Sequence, residues 1–416
     1  MKRTDKLTTI ALDPVLSNIM FTANLIMHLR APGSSSPYEK PSGLPWKRGP
    51  PLVSALIPIF NEKRESILAT ARCLAAQTWM KLEALFIMEP EEADRLLETR
   101  RRVEEAILLL KGRGISAKLI VTDGKVKLKP HALNCALREA EGEIICVYDA
   151  DNTFPERQIE DAVGLILEKG YDVVQSKIYR SRETFVGRYL MLDTFVWQRK
   201  FLPAVHAWAR IFPFSGEGLF IRREALDEVG GFPEVLTEDA YLSILLTEKE
   251  KRFGLLDSEV YELAPIGWRS HFRQRVRWFR GYLTCLGRVL KAKVSLKAKI
   301  ALSVMFSAPI TCSFSLITWA FFTTYWLSWA FLPQLYFIAP WMLHWLYKNA
   351  IFYWSAFLAY IGNPIVIFSY MHSLANTKME RSAPLALIVP LYWIFIGAAA
   401  ISSFFRSTKF WGKTER

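Results

Sequence analysis

Apolar and polar positions change period several times along the 416 residues, and those changes outline a fold. Leu52–Ile59 is a short, mostly apolar run of the kind that forms a strand covered on both faces. Arg64–Gln77 then carries apolar residues at helical spacing. The alternation continues. Ala84–Met88 predicts a strand, Glu91 to about Lys111 a charged helix, Ala117–Val121 a strand and Pro130–Ala140 a helix. Ile144–Tyr148 predicts a fourth strand that stops directly at Asp149. Short apolar strands separated by amphipathic helices imply an α/β domain with a mostly parallel sheet.

Further on, Thr184 to about Arg210 predicts one long helix of mixed aromatic and charged residues. Phe214–Arg222 holds Gly216 and Gly218 in a turn before a short strand, and Ala240–Leu246 predicts an apolar helix after Thr237-Glu238-Asp239. From Trp268 to Lys297 aromatic, aliphatic and basic residues interleave, which predicts amphipathic helix lying on a membrane surface. Beyond it Asp, Glu, Lys and Arg are absent from Ile300–Tyr347, Asn349–Thr377 and Ser382–Phe405. A bilayer crossing needs roughly 20 apolar residues, so this tail predicts three or four spans. The charge-free stretch 300–347 alone is long enough for two.

Four regions follow: 1–51, an apolar or interfacial helix and a Pro/Gly/Ser linker; 52–267, a catalytic α/β domain; 268–299, basic interfacial helices; and 300–416, a transmembrane region with a short basic tail. The stretch 7–29 contains Asp13 and lacks a small-residue cleavage site, which argues against a signal peptide.

The formal net charge is +13, and basic residues crowd the segment Arg269–Lys299, just ahead of the first expected span. Attraction to an anionic cytoplasmic leaflet accounts for that placement and predicts a lipid bilayer as partner, with the α/β domain facing the cytoplasm. No zinc-finger spacing or RNA-binding signature accompanies these residues, which argues against nucleic acid. The five cysteines are scattered without a CxxC pair, as expected of reduced thiols.

Chemistry gathers at the predicted strand ends, where ligands of parallel sheets bind. Asn61-Glu62, Glu89, and Asp149 with Asp151 all follow strands. Two carboxylates at i and i+2 suit a hard divalent cation, although Asp-x-Asp-Asn is also ordinary turn chemistry. Glu238 and Asp239 open a helix with Thr237 at its N-cap position; one carboxylate could serve as a general base, or the pair could simply complement the helix dipole. Gln274, Arg277 and Trp278 share one helical face, which suits phosphate and a flat apolar ligand, and equally suits a membrane interface.

In order along the chain, these segments resemble family-2 glycosyltransferases of the cellulose-synthase and hyaluronan-synthase type. The resemblance runs from about Leu52 to Gly281. It rests on Val53–Glu62, Glu89, Lys129-Pro130-His131-Ala132-Leu133-Asn134, Asp149/Asp151, Thr237-Glu238-Asp239 and Gln274–Trp278. Pro390–Trp393 and Trp411–Thr414 continue it weakly as a last span and closing segment. The resemblance implies a GT-A-type nucleotide-sugar domain in which Pro58, Glu62, Glu89 and Lys129 line the nucleotide pocket. It implies that Asp149 contacts the donor, Asp151 the metal (magnesium or manganese), and that Asp149 and Asp151 together form the metal site. Asp239 would be the base for an inverting displacement, with Glu238 beside it. Gln274 and Arg277 would hold the diphosphate, and Trp278 would floor the acceptor site. Two departures stand out: Glu89 replaces the usual Asp, and Glu217 occupies the glycine turn, where the sequence favours a solvated side chain.

The implied function is an inverting β-glycosyltransferase using a UDP-sugar and a divalent metal, with a growing glycan as acceptor in a membrane polysaccharide synthase. The alternative is a single transfer of glucose or mannose to a lipid acceptor. A membrane receptor or transporter that only binds a nucleotide sugar would leave Asp239 without a purpose. Nothing in the sequence specifies an oligomeric state.

Overall fold

The computed structural model describes residues 37–43, 49–60, 62–90, 93–124, 126, 128–181, 184–331, 371, 384–385, 387–405. The helix expected within 7–29, part of the linker, Asn61, the crossings expected within 332–383 and the segment Trp411–Thr414 lie outside the described residues.

Eight strands form one sheet: β1 (Tyr38–Glu39), β2 (Val53–Ile59), β3 (Leu82–Met88), β4 (Ser116–Val121), β5 (Ile144–Val147), β6 (Val173–Ser181), β7 (Leu219–Arg222) and β8 (Phe253–Leu263). Their order is β1-β8-β6-β7-β5-β2-β3-β4. Only β7 runs antiparallel to its neighbours, β5 and β6; the remaining pairs are parallel. The expected mostly parallel α/β sheet is therefore present.

Alternate residues of the central strands enter two cores. Leu56, Leu85, Ile87, Ile145 and Val147 face one side, and Ala55, Ile57, Phe86 and Cys146 the other. Burial on both faces is why these strands are apolar throughout rather than alternating. The helices of the domain are α1 (Arg64–Ala75), α2 (Ala93–Lys111), α3 (Lys129–Glu139), α4 (Gln158–Lys169), α5 (Phe185–Val196), α6 (Leu202–Ala209), α7 (Arg223–Asp227) and α8 (Glu238–Glu248). The long helix expected over Thr184–Arg210 is α5 and α6 joined by a π-helical stretch, Trp197–Phe201, and it ends where Arg210 adopts a φ of 57°. Strand β1, which falls in the expected linker, helices α4 and α7, and strands β6 and β8 were not anticipated. β6 and β8 mix polar with apolar residues, and their mutual pairing shifts register between Ser176 and Lys177.

Four further helices follow: α9 (Trp268–Val289), α10 (Leu296–Phe306), α11 (Ala308–Phe331) and α12 (Val389–Phe404). The apolar face of α9 is covered by protein, with Val276, Phe279, Leu283, Leu286 and Val289 buried. It packs on α8, α10, α11 and α12. Among the described residues no single helix is long and apolar enough to cross a membrane. The pair Leu296–Phe306 and Ala308–Ala320 passes that test together but is bent by 50°.

Candidate active site

A crevice opens where β2 and β5 part. Their ladder ends at Leu56 and Val147, although Tyr148 N–H still donates to Leu56 O at 3.1 Å. Pro58 lies beyond that point, so its missing N–H removes no bond to β5. β3 and β4 continue on one side of β2 while β5 lies on the other. This is a topological switch point, where ligands of open α/β sheets bind.

At the end of β5 the chain turns through Asp149–Asn152. Asn152 Oδ1 accepts from Asp149 N–H at 2.8 Å, and Asn152 Nδ2 donates to Glu217 Oε2 at 3.0 Å. Lys129, the first residue of α3, reaches Asp149 Oδ1 at 2.6 Å and Gly216 O at 2.8 Å. Burial alone would lower the lysine pKa, but Asp149, Glu238 and Glu217 outweigh it and hold the ammonium above its ordinary value. Further along α3, Asn134 clasps the chain ahead of α8: it donates to Phe232 O and accepts from Phe232 N–H, both at 2.8 Å.

The glycine turn comes to Asp149 because β7 is antiparallel to β5, so its start lies beside the end of β5. Buried Gln175 clamps that turn. Its Nε2 donates to Glu217 O at 2.8 Å and its Oε1 accepts from Ser215 N–H at 3.0 Å. Glu217 is only 4% exposed, so the expected solvated side chain is corrected. A buried carboxylate needs partners, and Asn152 and Arg180 supply them.

Glu238 and Asp239 form the first turn of α8. Thr237 makes no side-chain cap there. Its Oγ1 lies 3.5 Å from Cys285 Sγ on α9, and a Cβ at Gly281 would fall 2.3 Å from Thr237 Cγ2. Glycine is what allows α9 to approach so closely. Asp239 Oδ1 accepts from Ala240 N–H at 2.7 Å. Its Oδ2 faces Gly216, where a Cβ would stand 3.3 Å from Oδ2, 3.1 Å from Lys129 Nζ and 3.6 Å from Glu238 Oε1. Burial raises the pKa of both acids. The neighbouring Asp239 charge lifts Glu238 further, to about 7, against the pull of Lys129 and Arg277.

On α9 the Trp278 ring lies against two guanidinium groups, Arg180 at 4.8 Å and Arg275 at 5.0 Å from its centroid. Arg275 pairs with Asp193 Oδ2 at 2.7 Å. Arg180 pairs with Glu262 and lies 3.5 Å from Glu217. One turn before Arg275, His271 Nε2 meets Tyr392 Oη of α12 at 2.9 Å. Burial, then the Arg275 charge, lowers the His271 pKa to about 2, so the imidazole is neutral.

All eleven residues expected at the site line one cavity of about 450 Å³: Pro58, Glu62, Glu89, Lys129, Asp149, Asp151, Glu238, Asp239, Gln274, Arg277 and Trp278. Sequence reasoning missed Arg180, Asp193 and Glu262, which line it too. Arg180 and Glu262 stand opposite each other near the ends of β6 and β8, strands that were not anticipated. Of the cavity's charged groups, nine are carboxylates and four are cations (Lys129, Arg180, Arg275 and Arg277). Among the described residues, one group of three acids could hold a metal: Asp149, Glu217 and Glu262, with oxygens within 4.8 Å of one another. Asp151, expected as a ligand, is not in that group, although it lines the same cavity.

A family model for glycosyl transferase family group 2 matches residues 144–353, and one for glycosyl transferase family 2 matches residues 54–230. The probable glycosyltransferase YdaM of Bacillus subtilis is 26% identical over 260 residues, 60% of this chain and 59% of that protein. A cellulose synthase catalytic subunit (UDP-forming) of Pseudomonas fluorescens is 26% identical over 244 residues, covering 56% of this chain and 31% of that one. A beta-monoglucosyldiacylglycerol synthase of Synechocystis is 28% identical over 161 residues, 37% and 33% of the two chains. The chain thus spans between 31% and 59% of the length of these curated relatives. The fold is similar to that of the mannosyltransferase PcManGT from Pyrobaculum calidifontis, solved with GDP-Man and Mn2+. The TM-score is 0.57 and the identity 20%, over 95% of this chain and 97% of that one. With a GT-A-like sheet and a family model covering half of its length, the chain belongs to glycosyltransferase family 2.

Proposed function

We propose that this chain transfers a sugar from a nucleotide-diphospho-sugar, a UDP-sugar in the first instance, to an acceptor hydroxyl with inversion at the anomeric carbon. The observation that carries the reading is the convergence of Asp239 Oδ2, Glu238 Oε1 and Lys129 Nζ on the space over Gly216, inside an acid-lined crevice. Pro58, Glu62 and Glu89 would flank the nucleotide, and Arg277 with Gln274 would hold the diphosphate. Asp239 would accept the acceptor proton. Burial raises both Asp239 and Glu238 above the ordinary carboxylate range, which makes a stronger base of the ionised form.

The donor set fits a hard cation. The cavity has more carboxylates than cations before a diphosphate adds its own negative charge, and oxygen ligands suit magnesium or manganese. Asp149 and Asp151 would hold it, with Glu217 and Glu262 close to Asp149. A divalent ion there would stabilise charge on the departing diphosphate.

The sequence supports a membrane protein with residues 52–267 as the cytoplasmic catalytic domain, 268–299 as the helices beside the bilayer and 300–416 as the membrane region. Two acceptor readings accompany it. The Gln274–Trp278 segment favours a growing glycan, whereas the apolar lining contributed by Met305, Ala308 and Ile396 favours a lipid. The test uses the purified full chain with a panel of nucleotide sugars. Nucleotide release that needs magnesium or manganese, with an inverted anomeric centre in the product, is expected. Release that is indifferent to chelation, or a retained anomeric centre, refutes the reading.

A further inference from the structure

A second cavity, of about 930 Å³, lies among α6, α8, α10 and the start of β8, and none of its lining residues lines the catalytic cavity. Its walls carry Arg210, Lys251, Arg252, Lys293 and Lys299 against a single carboxylate, Glu250. Lys251 pairs with Glu228 at 2.5 Å, but among the described residues Arg210, Arg252 and Lys293 form no ion pair. The Arg252 guanidinium lies 5.5 Å from the centroid of Tyr171, another lining residue.

Helix ends explain part of this charge. α6 and α8 finish at the cavity, through His206, Ala209 and Thr247, and each C-terminus presents roughly half a negative charge. α10 starts there, through Ser295 and Ala298, and returns about half a positive charge. Five cations against one carboxylate exceed what those ends neutralise. A cleft lined by one sign of charge concentrates the opposite ion.

A buried acceptor adds what the cations lack. His206 lines the cavity and is 2% exposed. Its Nε2 lies 3.0 Å from Phe253 O, and a carbonyl only accepts, so Nε2 carries the proton. Burial lowers the pKa of the ring, and the Arg210 charge lowers it further, so the imidazole is neutral. Nδ1 is then an acceptor, and it is buried without a partner. Its donor must not be another cation, because the walls already hold five. A hydroxyl qualifies and an ammonium does not.

We propose that this cavity binds a phosphate ester carrying a free hydroxyl, with Arg210, Arg252, Lys293 and Lys299 taking the phosphate oxygens and His206 Nδ1 accepting from the hydroxyl. Guanidinium forks and ammonium groups suit phosphate. The head group of an anionic lipid and a soluble glycerol phosphate share this chemistry. The site is separate from the catalytic cavity and does not rest on the transferase reading.

The purified full chain in neutral detergent is titrated calorimetrically at about pH 8 with four probes: sn-glycerol 3-phosphate, methyl phosphate, dihexanoylphosphatidylglycerol and dihexanoylphosphatidylcholine. Methyl phosphate is then a dianion without a hydroxyl, since its second pKa is about 6. Glycerol 3-phosphate is expected to bind about fivefold tighter than methyl phosphate, the fold-change of one hydrogen bond at about 1 kcal/mol. His206→Gln keeps an amide donor for Phe253 O and is expected to erase that preference. Arg210→Asn combined with Lys299→Gln should weaken both esters at least about tenfold; asparagine tolerates the left-handed backbone of Arg210. Lys293 is exposed, so Lys293→Gln leaves the fold intact and should weaken both about fivefold. Tighter binding of phosphatidylglycerol than of glycerol 3-phosphate assigns a lipid head group, and the reverse a soluble ester; either supports the site. Equal affinity for the two monoesters, phosphatidylcholine binding as well as phosphatidylglycerol, affinity unchanged in Lys293→Gln, or no binding of any probe overturns the proposal.

Discussion

A methyl group added at Gly216 tests where the chemistry happens. The Gly216 backbone is outside the left-handed region, so an alanine there costs space and not conformational strain. Its Cβ would lie 3.1 Å from Lys129 Nζ and 3.3 Å from Asp239 Oδ2. Both atoms are far ends of side chains that yield by a few tenths of an ångström, so folding should lose less than about 1 kcal/mol, within the range of mild substitutions. For a chain of this size that is a fall in Tm of about 3 °C or less. Catalysis is less tolerant, because a misplacement of about 1 Å at a reacting group can cost a factor of about 100. Gly216→Ala is therefore expected to lower kcat by between about tenfold and about a hundredfold. The assay is nucleotide release under saturating donor, with donor affinity from calorimetry and Tm from thermal unfolding. A kcat within about twofold of wild type would place the reacting carbon elsewhere, and a collapse in Tm would make the glycine a folding residue.

Four other outcomes follow from the same geometry. Asp239→Asn is expected to lower kcat by about a thousandfold or more while donor affinity stays within about threefold; equal loss of both would remove the base assignment. The acid limb of the pH–rate profile should lie above the ordinary carboxylate range, because burial raises both acids; a limb within that range would contradict the assignment. The Glu238 carboxyl has its folded pKa raised from 4.5 to about 7, so its contribution to stability is present below the unfolded value and is lost as pH rises through about 7. The Tm of Glu238→Gln should therefore gain on that of wild type as pH rises from about 5 to about 8; parallel curves would contradict this. Gly281→Ala should destabilise by about 1–3 kcal/mol through overpacking against Thr237. Much of that loss should return in the double variant with Thr237→Ala, so additive effects in thermal unfolding would disprove the contact.

The fold was legible wherever burial on both strand faces left an unbroken apolar run. β2, β3, β4 and β5 begin and end within two residues of the positions expected for them. β6 and β8 were not, because Gln175, Ser176, Asp257 and Glu259 interrupt their apolar pattern, and part of that polarity serves the site itself. Gln175 is polar because it clamps the glycine turn. Arg180 and Glu262 are charged because each is the other's partner across the β6–β8 pair. The same blind spot explains Glu217. A local window shows an acid between two glycines, which reads as a turn in water. Only the antiparallel placement of β7 between β5 and β6 shows that the turn is carried into the crevice.

The α9 pattern shows a different limit. Amphipathic periodicity states that one face must be covered, and it does not state by what. The basic and aromatic residues of Trp268–Val289 fit a bilayer surface, yet the buried face rests on α8, α10, α11 and α12. Gly281 marks the protein-covered side, where Thr237 must come within contact. α9 is thereby held at two points, to the helix start that carries Asp239 through Gly281 and Thr237, and to α12 through His271 and Tyr392. Gln274, Arg277 and Trp278 lie between those two fastenings. The placement of Gln274, Arg277 and Trp278 is consequently set by one rigid element, and a displacement of α12 would be transmitted to the groups proposed to hold the diphosphate.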